Sequence, residues 1–339
     1  MKNLKKNTII LLIISIIFVY FIVKDNFIET VMLIRSANLL WIILSFILFY
    51  IYVLLEAYIL KNIIKEYKSD YSIKNLFKLQ VMTKFFNGIT PFASGGQPLQ
   101  IYELSKEGIK PTKGTMAIVQ SFLIFQFSII ILGIISVILN IFFNLFHLTP
   151  LMFWMLVFGF TLNIIAFTLV YTISCNKNAN KFINRLINRI INKNKFIKNK
   201  EEKASNINKY FTEYYEGFCH LRSNKKMFIK CFLLELLSLV ILFVIPQCIF
   251  NALSIEHNLN LFVTSIISTY IFIVGSYIPI PGGTGGVEYS FLTFFKGFTT
   301  TGALTSGLIV WRFITYYAPV AIGGIVFNLF SKKDWIFYI

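Results

Sequence analysis

Residues 114–176 contain no Lys, Arg, Asp or Glu, and this run restricts the fold more than any other feature of the chain. It has room for two crossings of roughly 30 Å of hydrocarbon, hinged near residues 140–150. In hydrocarbon every backbone N–H and C=O needs a partner within the protein, which helices supply. The whole composition agrees: 56% of residues are hydrophobic and only 14% charged, outside the range of soluble domains. The chain reads as an all-α polytopic membrane protein.

The formal charge of +17 would suggest nucleic acid in a soluble protein. Its distribution points to a membrane instead. Residues 1–6 hold three lysines, residues 61–78 five lysines against Glu66 and Asp70, and residues 175–230 fourteen basic against four acidic side chains. The opposite loops are nearly neutral: residues 141–150 carry no charge and residues 251–260 only Glu256. This alternation is the positive-inside pattern, and it places both termini and the basic segment 175–227 on the cytoplasmic side of a cell membrane. The basic N-terminus and the apolar run behind it imitate a signal peptide, but no small-residue cleavage site follows Val23, so a retained first helix is expected. Within the basic segment Phe182, Ile183, Leu186, Ile187, Ile190 and Ile191 recur at helical spacing among Lys181, Arg185, Arg189 and Lys193. That pattern predicts an amphipathic helix on an anionic leaflet.

Two stretches interrupt the apolar runs. Asn87-Gly-Ile-Thr-Pro-Phe-Ala-Ser-Gly-Gly-Gln-Pro98 contains two prolines and three glycines, and Ile278-Pro-Ile-Pro-Gly-Gly-Thr-Gly-Gly-Val-Glu288 answers it in the second half. Proline withholds an N–H and glycine admits left-handed backbone, so neither continues as a helix in lipid. Such backbone must be buried in protein or line a cavity. Paired breaks in two halves are the sequence mark of a transporter site near the bilayer midplane. The parsing gives about six full spans, near residues 7–23, 39–60, two within 114–176, 228–250 and 302–330, with two re-entrant hairpins arranged as inverted repeats. It treats residues 1–339 as one integral membrane unit.

Freed N–H groups at the breaks are candidate anion donors. Thr90, Ser94, Gly95, Gly96, Gln97, Gly282, Gly283 and Thr284 form the first candidate set, with Gly95–Gly96 and Gly282–Gly283 as matching halves. Ionisable side chains inside spans are the second. Arg312 sits deep in the last span beside Tyr316, with Glu288 its candidate partner; Glu235 and Glu103 are also singled out. Glu56 reads as structural, and Lys84 and Lys296 as interfacial anchors. The four cysteines and three histidines are scattered, so no metal site, cofactor or disulfide framework is expected, and no catalytic constellation is visible.

Thr90-Pro-Phe-Ala-Ser-Gly-Gly-Gln-Pro98, Pro279-Ile-Pro-Gly-Gly-Thr-Gly-Gly-Val-Glu288 and Arg312-Phe-Ile-Thr-Tyr316 with Pro319 resemble the flippase-like membrane domain family, the transmembrane region of lysylphosphatidylglycerol synthases. The resemblance implies a protein that handles aminoacylated or related phospholipids and, in full-length members, contributes to resistance against cationic antimicrobial peptides. Full-length members add a soluble domain that moves lysine from lysyl-tRNA to phosphatidylglycerol. No such domain is expected in the nine residues after Phe330, which puts a phosphatidylglycerol lysyltransferase activity in doubt. The resulting expectation is a translocase for an anionic or aminoacylated phospholipid such as lysyl-phosphatidylglycerol. Its rivals are the membrane part of a lipid aminoacyltransferase and a scaffold that recruits a separate soluble synthase.

Overall fold

A computed structural model describes residues 27–193, 200–254 and 259–330. The expected first span at residues 7–23 and the basic pair Lys332 and Lys333 lie outside the described residues. Among the described residues the structure is helical with no strand. The helices are α1 (Phe27–Arg35), α2 (Leu39–Ile64), α3 (Ile73–Gly88), α4 (Gly96–Lys106), α5 (Pro111–Phe143), α6 (Pro150–Cys175), α7 (Lys177–Lys193), α8 (Lys200–Ser223), α9 (Lys225–Ala252), α10 (Leu261–Gly275), α11 (Gly286–Phe295), α12 (Thr301–Arg312) and α13 (Ala318–Phe330).

Five helical stretches are long and apolar enough to cross a bilayer: α2, α5, α6, α9, and α12–α13 taken as one. Leu40, Ile141, Phe142, Phe158, Leu169, Ile325 and Leu329 stand exposed on their outer surfaces, as lipid-facing residues of a membrane protein do. Their starts follow local chemistry. Asn38 accepts from Leu40 N to cap α2, Thr149 caps α6 with Pro150 at its first position, and Asn224 caps α9.

The four hairpin arms are shorter. With 16, 11, 15 and 10 residues in α3, α4, α10 and α11, they reach only about 15–24 Å at 1.5 Å per residue, less than the hydrocarbon thickness. Each pair packs on itself across its glycine/proline break. Helices α2 and α9 run antiparallel: Asn38 N donates to Ala252 O at one end, and Lys230 Nζ donates to Asn62 Oδ1 at the other. Hairpin α3–α4 follows the Ile64 end of α2 and hairpin α10–α11 the Ala252 end of α9. The hairpins therefore enter from opposite ends of the bundle, and their tips touch.

Helices α2, α3, α4 and α5 in the first half correspond to α9, α10, α11 and α12–α13 in the second. The packing repeats accordingly: α5 lies on α10, and α13 lies on α3, so each half closes over the other half's hairpin. Aromatic side chains fill the resulting core. Phe291 sits with its ring centroid 4.7 Å from Phe295 and 5.0 Å from Trp311, and Phe250 stands 5.3 Å from Phe295, which brings large apolar area and favourable edge or offset contacts together.

Helix α7 is amphipathic, as its spacing predicts. Phe182, Leu186 and Ile190 are exposed along one stripe, while Asn184 and Asn188 donate to Asn208 Oδ1 of α8 on another.

Candidate functional site

The two breaks adopt one backbone design. Thr90 (φ −119°, ψ 145°) and Ile280 (φ −109°, ψ 139°) are extended, and each is followed by proline at the first position of a 3₁₀ turn. Two left-handed residues come next: Phe92 and Ala93 at φ 55° and 49°, Gly282 and Gly283 at φ 67° and 62°. Ala93 N donates to Thr90 O, as Gly283 N does to Ile280 O, and Ser94 N and Thr284 N donate to Pro91 O and Pro281 O. The hydroxyls repeat the pattern: Ser94 Oγ donates to Pro91 O at 2.9 Å and Thr284 Oγ1 to Pro281 O at 3.0 Å. Helices α4 and α11 then start at Gly96 and Gly286. The counterpart of Gly95–Gly96 is therefore Gly285–Gly286 and not Gly282–Gly283, which correspond to Phe92–Ala93. Two Gly-Gly pairs in one motif hide that register in the sequence.

Three of the glycine N–H groups at these breaks are already taken by side chains of their own hairpin. Gly95 N donates to Thr90 Oγ1 and Gly96 N to Asn87 Oδ1, both at 2.8 Å, while Gly285 N donates to Glu288 Oε2 at 2.7 Å. The tips cap themselves with their own side chains, because a buried helix start must satisfy its donors.

Both tips are fastened to the middle of the last span. Tyr316 Oη donates to Gly88 O at 3.0 Å, and Arg312 Nη2 donates to Gly282 O at 2.8 Å. Arg312 Nε also lies 2.8 Å from Glu288 Oε1, with the two side chains only 7% and 3% exposed. The guanidinium stacks over the Tyr316 ring, 4.4 Å from its centroid. A π-turn over Phe313–Tyr317 accommodates Pro319, with Ala318 N donating to Phe313 O. Proline has no N–H and would crowd the carbonyl four residues back, so the widened turn takes up the difference. Residues 312–316 lie at the centre of the stretch Thr301–Phe330, which puts the meeting point of the hairpins at mid-height of that span.

Beside this meeting point is a cavity of about 450 Å³ walled by α2, α3, α5, α9, α10, both tips and α12–α13. Gln97, Gly282, Gly283, Arg312 and Tyr316 line it; Thr90, Ser94, Gly95, Gly96, Thr284 and Glu288 do not, and of these Thr284 and Glu288 are buried while Ser94 is exposed. Glu103 does not line it and pairs with Lys106 on α4 at 3.3 Å.

The wall also holds charges that sequence reasoning assigned elsewhere. Lys84 Nζ lies 2.6 Å from Glu56 Oε2, and Tyr52 Oη donates to Glu56 Oε1 at 2.7 Å. An interfacial anchor and a structural glutamate thus form an ion pair on the cavity wall. A signal for Lys84 was present: Gln80, Thr83, Lys84 and Asn87 recur at i, i+3, i+4, i+7, and all four line the cavity. Glu235 joins them there, 3% exposed. It accepts only from Ser238 on its own helix, and no lysine or arginine among the described residues is paired with it.

An all-α polytopic membrane protein with two inverted hairpins meeting at a charged internal cavity is the class this architecture defines. The family model for the lysylphosphatidylglycerol synthase TM region matches residues 8–323, and the chain belongs to that family. It is also similar to a UPF0104 membrane protein of Archaeoglobus fulgidus, 25% identical over 305 residues, which cover 87% of this chain and 88% of that protein.

Proposed function

We propose that the protein is a translocase for phospholipids whose headgroup carries an amine, such as lysyl-phosphatidylglycerol. One observation carries this reading: the cavity between the hairpins has a carboxyl, Glu235, that none of its cations pairs with. Arg312 is taken by Glu288, and Lys84 by Glu56. A headgroup offering only a phosphate would have to break one of these ion pairs, whereas an ammonium finds an unpaired carboxyl. Inverted hairpins around a site at mid-height suit alternating access, and the family's name supplies the aminoacylated lipid. The reading puts the protein in the cell membrane with α7 and α8 on the cytoplasmic side, and the lysine and arginine excess of residues 175–230 supports that orientation.

The test is reconstitution into liposomes containing a trace of acyl-labelled lysyl-phosphatidylglycerol, with quenching of the outer leaflet. Faster loss of signal than in protein-free liposomes, and faster than for phosphatidylglycerol, is expected. Equal rates in all three would refute the reading.

A further inference from the structure

We infer that Glu235 is a proton-binding site, and that its proton and the amine of a lipid headgroup displace one another in the cavity between the hairpins. This rests on the reading of that cavity as a headgroup site, and it adds the ion to which lipid movement is tied.

Glu235 is surrounded by side chains from several helices. Helix α2 presents Tyr52 and Glu56 to the cavity, α3 presents Lys84, and α12 presents Arg312. The wall contributions of α5 and α10 are uncharged, among them Ser121, Gln126 and Ser268, and Tyr277 follows α10. On its own helix the nearest titratable side chain is Cys231, one turn away and buried, with its Sγ directed at Ile59 O. Lys84, the lysine on this wall, is held 2.6 Å from Glu56. The cluster of Glu56, Glu235 and Glu288 with Lys84 and Arg312 has one carboxyl more than its cations can neutralise, and Glu235 is the one left over.

A carboxyl buried in a low-dielectric wall without a cation is cheaper to hold as the neutral acid, and a cation arriving beside it reverses that preference. An ammonium headgroup is such a cation. When it docks, the acid gives its proton to water in the cavity and the carboxylate–ammonium pair remains; when the headgroup leaves, water returns a proton. Each exchange balances one positive charge against another, so the buried cluster never carries an uncompensated charge. Intramembrane carboxyls of this kind mark proton paths.

The test is carbodiimide labelling of the purified protein in detergent, since dicyclohexylcarbodiimide reacts with the protonated acid in apolar surroundings. Peptide mapping of the wild type assigns the label without any variant. We expect it on Glu235, with a rate falling about tenfold per pH unit above the midpoint, and slowed severalfold by lysyl-phosphatidylglycerol but not by phosphatidylglycerol. Glu235→Gln should lose the label and Glu288→Gln should keep it. No label on Glu235, a label indifferent to pH, or equal protection by the two lipids would overturn the inference. Flux is read separately. If the amine lipid slows labelling but no lipid crosses the liposome membrane, the exchange site stands and the translocase reading falls.

Discussion

Replacing Arg312 with methionine removes one side chain that holds three things at once. The guanidinium faces Glu288 at 2.8 Å, donates to Gly282 O at 2.8 Å and covers Tyr316. At 2.8 Å the direct attraction of the pair is about 6 kcal/mol for an effective dielectric near 20, and much of it is offset by the cost of desolvating both groups. Taking away one partner forfeits the attraction while leaving the other charge buried, so Arg312→Met should destabilise the protein by about 3–5 kcal/mol. Arg312→Lys keeps the charge but not the fork that reaches both Glu288 and Gly282, and should cost about 1–3 kcal/mol. The informative variant is the double one. In Arg312→Met with Glu288→Gln no charge is stranded, and the amide oxygen of glutamine still accepts from Gly285 N, so the double variant should be more stable than Arg312→Met alone. Reversible unfolding in mixed micelles, followed by tryptophan fluorescence and circular dichroism, measures all four corners of the cycle. If the two single losses simply added, Arg312 and Glu288 would not be coupled and the stranded charge would not be the cause of the loss.

Gly282→Ala should cost about 2 kcal/mol or more in the same unfolding assay, since a Cβ there meets the Tyr316 ring at a left-handed φ of 67°. Gly114→Ala, whose nearest contact is Ile101 Cγ2 at 3.7 Å, should be neutral or stabilising by about 0.5–1 kcal/mol. Phe92 occupies the left-handed position that glycine fills in the other hairpin, so Phe92→Gly should raise stability by about 1 kcal/mol while slowing lipid flux through the lost cavity wall; a loss of stability would show that Phe92 is held by packing and not strained. Single cysteines introduced in α8 should react with impermeant maleimide only in inverted vesicles, and reaction from outside intact cells would reverse the proposed orientation.

The spans were legible because hydrocarbon tolerates so few charges: the uncharged run 114–176 becomes α5 and α6, and the breaks at residues 87–98 and 278–288 become the hairpin tips. Inverted halves followed from the charge alternation, and the antiparallel pairing of α2 with α9 realises them. The directions of side chains were not legible. Thr90 and Asn87 turn back to satisfy Gly95 and Gly96, which withdraws two of the donors that the glycine-rich sequence offers. The Lys84–Glu56 pair joins two helices, and no spacing along the chain connects residues that meet only in the fold. What the sequence could show was the polar stripe from Gln80 to Asn87, and Glu235 stood out simply by lying deep in an apolar helix.

Selection of an amine-bearing headgroup by the cavity between the hairpins can be read from the lipid it captures in a mixed bilayer. A photoreactive benzoylphenylalanine replaces Phe122 on the cavity wall or Phe142 on the lipid-facing surface of the same helix, in liposomes with equal lysyl-phosphatidylglycerol and phosphatidylglycerol. Cross-links at position 122 should be enriched severalfold in the lysyl lipid, while those at position 142 follow the bulk ratio. The same ratio at both positions would show that the cavity does not select the amine.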